Sequence, residues 1–205
     1  MLKPFHIEIM HLALDHVFRG RALEKTIEAN LHQDRLLGQI GHDEYHFDNN
    51  AFDKSYAYME EQRALTVSAL MANDAPSAWS AFGRLTHTAQ DFYAHTNYIA
   101  LWLANQSKSV SPSEVDPMEP DLIRSPALRS GKVYWMEVLT FIPLLKPLVM
   151  SLLPRDSHAW MNIDSPERGP HFQYAFQSAV KRTRIEFDRT VKDLPQDLVR
   201  FFVDQ

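Results

Sequence analysis

Residues 82–98 read Phe82-Gly-Arg-Leu-Thr-His-Thr-Ala-Gln-Asp-Phe-Tyr-Ala-His-Thr-Asn-Tyr98. Within this stretch His87, Asp91 and His95 follow one another at intervals of four residues, so on a helix their side chains project from one face. A lone histidine on a helix is more often a surface or hydrogen-bonded residue than a metal ligand. Two histidines that bracket an aspartate at helical spacing favour a metal site, and imidazole with carboxylate suits zinc.

A helical period extends along most of the chain. Apolar residues recur at intervals of three and four, only 6 of the 205 residues are glycine, and few segments alternate as a strand would. The pattern predicts one all-α domain, a helical bundle over residues 1–205. The predicted helices cover residues 5–18, 22–37, 50–71, 74–104, 133–153, 170–191 and 196–203, the fifth being kinked or split at its prolines.

Two segments lack the helical period and are predicted to be long loops. Residues 105–130 carry 4 prolines among many serines and are expected to form a loop or flap. The second loop covers residues 154–169 and leads into a helix that begins near Pro170. Loops of this length in a compact domain are commonly functional.

Composition limits the chemistry that the chain can carry. Cysteine is absent, which excludes disulfides and thiolate metal sites. Any metal would therefore be held by His, Asp or Glu, and the chain contains 10 histidines. The net charge of −5 does not favour nucleic acid as a partner, because a polyanion binds to a positive surface.

No targeting or membrane-spanning segment is predicted. Residues 1–19 lack the apolar run of a secretory signal. The most apolar segment, residues 133–153, is interrupted by Glu137, Lys146 and two prolines, whereas a spanning helix needs about 20 mostly apolar residues. A cytoplasmic location is the expectation that follows.

The wording of residues 85–97 resembles a known superfamily. Leu85-Thr-His-Thr-Ala-Gln-Asp-Phe-Tyr-Ala-His-Thr-Asn97 is similar to the His-x-x-x-Asp signature of the zinc-dependent phospholipases C and single-strand nucleases, and most similar to that of their Het-C-like branch. Further landmarks of the superfamily occur in the same order along most of the chain. The resemblance implies a single-domain helical bundle of this type that holds up to three zinc ions.

The resemblance also implies a set of metal ligands. Its members in this chain are His6, Asp34, His46, His87, Asp91, His95 and His171, with Asp91 bridging two metals. Members of the superfamily also chelate a metal with the amino group and carbonyl of their first residue. Met1 lies five positions before His6, as in the nucleases, and is expected to make this contact. Asp48 is expected to orient His46.

One departure from the superfamily pattern concerns the last metal site. The phospholipases place a glutamate four residues after the final histidine, where this chain has Ala175. The segment Ser157-His-Ala-Trp-Met-Asn-Ile-Asp-Ser-Pro166 resembles a loop of the Het-C-like branch. Water, Asp164 or His158 could fill the position that Ala175 leaves, and His158 is expected as a metal ligand with Asp164 beside it.

The resemblance implies phosphodiester hydrolysis by a metal-activated water, with Asp34 as ligand and general base. The net negative charge favours a phospholipid-like substrate over a polynucleotide. The apolar residues 141–153 predict contact with a membrane surface, although a buried helix of the bundle is the favoured interpretation of that segment. The sequence does not set the number of metals or the oligomeric state.

Several alternatives stay open. The absence of a carboxylate at Ala175 is also what a non-catalytic structural or interaction module would show, its metal holding helices together. A single-strand nuclease would need a basic groove, for which the candidates are Arg84, Lys181, Arg182 and Arg184. His11 and Asp15 could replace His6 in the ligand set. The adjacent His42 and Asp43 resemble HD-type phosphohydrolases, a weaker account because His87, Asp91 and His95 would be unexplained.

Overall fold

The computed structural model describes residues 1–35, 38 and 41–204. Within these ranges the regular structure is helical, and β-pairing is limited to isolated bridges. The α-helices are α1 (Lys3–Leu14), α2 (Gly20–His32), α3 (Asp43–His46), α4 (Phe52–Met71), α5 (Ala75–His95), α6 (Tyr98–Ala104), α7 (Pro120–Ile123), α8 (Lys146–Leu152), α9 (His158–Met161), α10 (His171–Val191) and α11 (Gln196–Val203). Turns of 3-10 helix occupy Asp48–Asn50, Pro112–Glu114, Trp135–Phe141 and Pro166–Arg168. The all-α prediction is confirmed.

Helix α5 is the central element of the bundle. It packs against α2, α4 and α10, and nearly every side chain from Ala78 to His95 is buried. Asp74 caps its first turn by accepting a hydrogen bond from the Ser77 N–H at 3.1 Å, and Pro76 is tolerated there because first-turn N–H groups have no partner within the helix. A helix that is buried all round places its polar side chains in the core, where they need partners.

Helices α2 and α5 approach closely at Gly83. A Cβ atom on Gly83 would lie 2.4 Å from the carbonyl oxygen of Thr26 and 2.8 Å from the backbone nitrogen of Asn30, so a larger residue would force the helices apart. On α5, Gly83 lies one turn before His87; on the facing segment, Asn30 of α2 lies four residues before Asp34. The contact therefore fixes the distance between two of the predicted metal ligands.

Two predicted helices are interrupted. The helix expected over residues 74–104 is α5 and α6, because Thr96 has an extended backbone (φ −110°, ψ 166°). The break lets Asn97 exchange hydrogen bonds with the backbone of Arg129, while the Gly131 N–H donates to the His95 carbonyl at 3.0 Å. The chain after the first long loop is thereby attached to the end of α5.

The apolar segment 133–153 forms the 3-10 turn Trp135–Phe141 and α8. Proline lacks an N–H group and restricts the residue before it, which accounts for the separation at Pro143. The interpretation of residues 141–153 as a buried helix is wrong, because Leu144 is 88 % exposed and Leu148 and Leu152 are also exposed. In the described part of the chain, no helix is both long and apolar enough to cross a membrane.

Candidate metal centre

Four side chains from three parts of the chain form what we call the first group: His6, Asp34, His87 and Asp91. His6 comes from α1, Asp34 follows α2, and the other two stand one turn apart on α5. One ligand atom of each lies within 4.8 Å of those of the others. His6 and His87 are fully buried, and their rings stack with centroids 4.5 Å apart. Both rings thus present nitrogen atoms to the same small volume.

The carboxylate of Asp91 is the centre of the first group. Its Oδ1 atom lies 3.3 Å from His6 Nε2, and its Oδ2 atom lies 3.1 Å from His87 Nε2. Asp34 completes the group from the opposite side, at 4.0 Å from His6 Nε2 and 3.8 Å from His87 Nε2. These separations exceed hydrogen-bonding distance for Asp34, so its carboxylate and the two imidazoles surround a space.

His46 joins the first group to the rest of the site. Its Nδ1 atom donates to Asp91 Oδ2 at 2.8 Å and lies 3.2 Å from His87 Nε2. The helix that carries it ends immediately, since Phe47 has a left-handed backbone (φ 57°) and its ring is buried. The turn directs the His46 carbonyl toward His95, whose Nδ1 donates to it at 2.9 Å.

The second group consists of Asp48, His95 and His158, whose ligand atoms also lie within 4.8 Å of one another. His158 Nδ1 donates to Asp48 Oδ1 at 2.8 Å, and His95 Nδ1 lies 3.5 Å from the same oxygen. Asp164 contacts this group, with Oδ1 at 3.1 Å from His95 Nε2. Asp48 was expected to orient His46; in the structure it contacts His95 and His158.

The amino group of Met1 lies between the two groups. It is buried, pairs with Asp91 and is 3.3 Å from Asp164 Oδ1. The Leu2 N–H donates to the Asp164 carbonyl at 3.1 Å, which holds this end of α1 against the loop. Burial opposes the ammonium charge, but the carboxylates of Asp91, Asp164 and Asp34 outweigh it and raise the pKa of the amino group to about 11.

Burial and neighbouring charges shift the pKa values of Asp91, His87 and His95. Burial opposes ionisation of Asp91, but the Met1 ammonium and the surrounding histidines hold its pKa well below the usual range. Burial and the neighbouring His6 lower the pKa of His87 to about 4, although Asp91 acts against this. Burial also opposes protonation of His95, but Asp91 and Asp48 raise its pKa well above the ordinary value. Without metal, therefore, burial favours the neutral form of His87, whereas the surrounding carboxylates favour the protonated form of His95.

Gln90 is a residue of the site that the sequence analysis missed. Its Oε1 atom accepts hydrogen bonds from His6 Nδ1 at 2.6 Å and from Asn30 Nδ2 at 3.2 Å, while its Nε2 donates to Thr183 Oγ1 at 3.0 Å. These contacts fix the direction of the amide and make His6 Nδ1 the protonated nitrogen. The signal in the sequence was a glutamine beside Asp91 on a helix that is buried all round.

The second ring nitrogen of His6, Nε2, shows whether a metal would fit in the first group. His6 Nε2 is buried and has no hydrogen-bond partner within the described ranges. Leaving a buried polar atom unpaired costs about 1–3 kcal/mol. A metal would satisfy this lone pair together with the carboxylates of Asp34 and Asp91. Imidazole nitrogen and carboxylate oxygen are ligands that zinc accepts, so the residues of the first group fit a zinc ion.

Replacing Gln90 with Met is expected to lower zinc affinity roughly 10–100-fold, the usual effect of removing the partner that orients a metal-binding histidine. Methionine has a similar volume, and its thioether is a much weaker acceptor for the His6 Nδ1–H than the amide oxygen. Competition against a chromogenic zinc chelator would measure the change. Gln62→Met is the matched control, because Gln62 is a buried glutamine that accepts from Arg84. An equal effect of both substitutions would count against the orienting role of Gln90.

The candidate metal centre opens onto a cleft of about 860 Å³. Asp34, His46, Asp48, His95, His158 and Asp164 reach its surface. Lys3 and Lys146 also line it, as do the apolar side chains of Val133, Trp135 and Val138. A solvent-borne molecule can therefore reach the edge of both groups, while His6 and His87 remain behind them in the core.

The comparisons with known proteins give the chain a family. The family model described as the VWA7 N-terminal domain matches residues 12–115. This chain belongs to the VWA7 N-terminal domain family. No curated protein and no solved structure gives a significant match. The matched part of this VWA7 N-terminal domain family member contains Asp34, His46, Asp48, His87, Gln90, Asp91 and His95, whereas Met1, His6, His158 and Asp164 lie outside it.

In this member of the VWA7 N-terminal domain family, the structure brings together all the predicted site residues except one. His171 is the exception: it is exposed at the first position of α10 and belongs to neither group. The inward stripe of that helix is made of Phe172, Ala175 and Phe176, so His171 points elsewhere. His158 and Asp164, the residues considered as substitutes near Ala175, lie in the site. The pair His11 and Asp15 is exposed.

The basic residues nominated for a nuclease groove do not line the cleft. Arg182 is buried and pairs with Glu186. Lys181 donates to the Val115 carbonyl and Arg184 to the Leu12 carbonyl. Arg84 is held by Gln62 and Ser80 on the far side of α5. The structure thus uses these four cations to attach helices and loops to one another.

Proposed function

We propose that this chain is a zinc-dependent phosphodiester hydrolase. The observation that carries the proposal is the position of carboxylates and histidines along the edge of an open cleft. Structural zinc sites are saturated by protein ligands, whereas catalytic sites keep a position for water or substrate. Here Asp34, Asp48 and Asp164 reach the cleft surface from two adjacent groups. The proposal agrees with the reaction that the resemblance to the zinc-dependent phospholipases C implies.

Some residues of the site would bind zinc or the substrate, and another would accept a proton. His6, His87 and Asp91 would hold one zinc ion together with Asp34, and Asp48, His95 and His158 would hold another. Bound zinc supplies a Lewis acid that lowers the pKa of a coordinated water and polarises a phosphoryl oxygen. Lys3 and Lys146 give the cleft wall positive charge that suits a phosphodiester anion.

Asp34 is the candidate general base. Its side chain is 11 % exposed, lies on the cleft surface and is separated by 3.8–4.0 Å from the nearest nitrogen atoms of His87 and His6. Asp34 thus has fewer close contacts than Asp91, which contacts the Met1 amino group and three histidines. A carboxylate in this position can accept a proton from a water that enters from the cleft.

The test is hydrolysis of bis(p-nitrophenyl) phosphate by untagged, zinc-loaded protein. We expect Asp34→Asn to lower kcat roughly 10²–10⁴-fold, the range that general-base catalysis contributes. Asp15→Asn, an exposed aspartate of α1, is the control and is expected to keep full activity. A zinc-loaded protein with no hydrolysis, or equal kcat for Asp34→Asn and the unchanged chain, would refute the proposal.

A structural metal module is the second candidate, and the burial of His6 and His87 favours it. In that case zinc would contribute folding free energy without turnover. The two candidates differ in one measurement. A structural site predicts that chelation unfolds a protein that never hydrolysed the phosphodiester, whereas the hydrolase loses activity on chelation and recovers it when zinc is restored.

A further inference from the structure

A set of exposed apolar side chains lies on residues 133–152, and three of its members line the cleft. We call it the apolar rim; it consists of Val133, Trp135, Val138, Ile142, Leu144, Leu148 and Leu152. Trp135 is 80 % exposed and Leu144 is 88 % exposed. Single exposed apolar side chains are common, but several large ones within about 20 residues of sequence indicate an interaction surface.

The apolar rim is continuous with the candidate metal centre. Val133, Trp135 and Val138 line the cleft, and Lys146 lines it from the first residue of α8. The other face of α8 is anchored, since Val149 is buried and the Trp160 indole donates to the Met150 carbonyl at 3.1 Å. Leu148 and Leu152 therefore point away from the protein on a supported helix.

The charges beside the apolar rim have the opposite sign to the chain as a whole. The net charge is −5, yet the exposed charged side chains from residue 133 to residue 155 are Lys146 and Arg155. Glu137 is half-buried and accepts hydrogen bonds from the N–H groups of Tyr134 and Ala159. Arg155 lies over the Trp160 ring at 3.9 Å, so its charge stays next to α8.

We infer that the apolar rim docks the cleft onto an anionic phospholipid surface, an inference that rests on the proposed phosphodiester chemistry. Tryptophan and leucine side chains enter the boundary between headgroups and acyl chains, while lysine and arginine contact the headgroup phosphates. A second copy of this chain is a poorer occupant. A symmetric contact would bring Lys146 and Arg155 against a like-charged face and would close the cleft.

The experiment is vesicle co-sedimentation of the full chain. Vesicles of phosphatidylcholine alone are compared with vesicles that also contain phosphatidylserine. We expect binding that phosphatidylserine strengthens and added salt weakens. The double substitution Leu144→Gln with Leu148→Gln should lower the partition coefficient roughly tenfold or more, given the apolar area withdrawn from the bilayer. Neither residue lines the cleft.

The matched control is Leu65→Gln with Met71→Gln, which changes two exposed apolar residues of α4. It should leave vesicle binding unchanged. A second measurement follows the emission of the tryptophans, whose blue shift on vesicles should disappear in Trp135→Phe. Equal binding by both double variants, or no binding by the unchanged chain, overturns the docking surface. A dimer that only the substitutions at Leu144 and Leu148 dissociate overturns it as well.

Vesicle binding is measured at equilibrium and needs no turnover. A chain that binds vesicles but does not hydrolyse the soluble phosphodiester would refute the proposed reaction and support the docking surface. A chain that hydrolyses the soluble phosphodiester without binding vesicles would refute the docking surface alone.

Discussion

Asp91→Asn is expected to lower zinc affinity roughly 10²–10³-fold, since apparent zinc binding free energies of about 10–16 kcal/mol are shared among about four ligands. Asp91 is in contact with the Met1 amino group, His6, His46 and His87. No other carboxylate of the described residues contacts so many donors of the site. Asparagine keeps the shape of the side chain but removes the charge that a metal and the Met1 ammonium require.

Zinc content by mass spectrometry and competition against a chelator would measure this loss in untagged protein. Asp188→Asn is the matched control, because Asp188 is an exposed aspartate on a long helix. We expect this control to bind zinc as the unchanged chain does. Circular dichroism of both variants establishes that the helices remain. Full zinc content and unchanged affinity in Asp91→Asn would remove the basis of the metal centre.

The sequence predicted the part of the candidate site that lies on one helix. The interval of four residues places His87, Asp91 and His95 on one face of α5 whatever the rest of the bundle does. Placing Asp34 and His46 beside them depended on the resemblance, since neither belongs to a periodic pattern. In the structure these five side chains lie together; that they bind zinc stays a prediction.

His171 was predicted as a ligand from the order of the superfamily's motif residues along the chain, and this prediction was wrong. A histidine near the start of a late helix satisfies the order, but its direction depends on which residues of that helix face the core. Phe172 and Phe176 of α10 pack against Phe5 of α1, with ring centroids 4.7 Å and 6.4 Å apart from it. Such packing sets the rotation of α10. The segment that supplies His158 and Asp164 contacts His95 instead.

The segment from residue 133 to residue 153 shows a second limit. An apolar segment of this length has the same composition whether a bundle covers it or leaves it exposed. Burial is decided by tertiary contacts, and here α8 rests on the core through Val149 and leaves Leu148 and Leu152 outside. The sequence analysis favoured the buried helix over the membrane contact, and the exposure of Leu144, Leu148 and Leu152 shows that composition alone ranked them wrongly.

A second large effect is expected away from the cleft, at a buried ionic network between α4 and α10. Glu186 is fully buried and accepts a hydrogen bond from Arg182 Nε at 2.6 Å. It also pairs with Arg63 and lies 3.4 Å from Arg189 Nη1. Burial opposes the charge of Glu186, but Arg182 and Arg63 lower its pKa. The network links helices that flank α5 and thereby supports the metal centre indirectly.

Glu186→Gln is expected to lower the free energy of unfolding by about 3–5 kcal/mol at neutral pH, because the buried Arg182 loses its counter-ion while keeping its own charge. Glu60→Gln is the control: Glu60 is an exposed partner of Arg63 and Arg189, and loss of such a pair costs about 0–1 kcal/mol. Urea denaturation measures both changes. Similar unfolding midpoints for the two variants would show that the network adds nothing beyond a surface ion pair.

The pH dependence of the same measurement separates charge from packing. A carboxylate whose pKa is lower in the folded protein stabilises it above the unfolded pKa, which for glutamate is ordinarily 4.5, and this contribution is lost as the pH falls through the folded pKa. The difference in unfolding free energy between the unchanged chain and Glu186→Gln should therefore be largest at pH values above the pKa of this glutamate in the unfolded chain. It should become smaller as the pH falls below that value. If the cost came from altered packing of the side chain alone, the difference would be the same at every pH, because packing does not depend on the charge of Glu186.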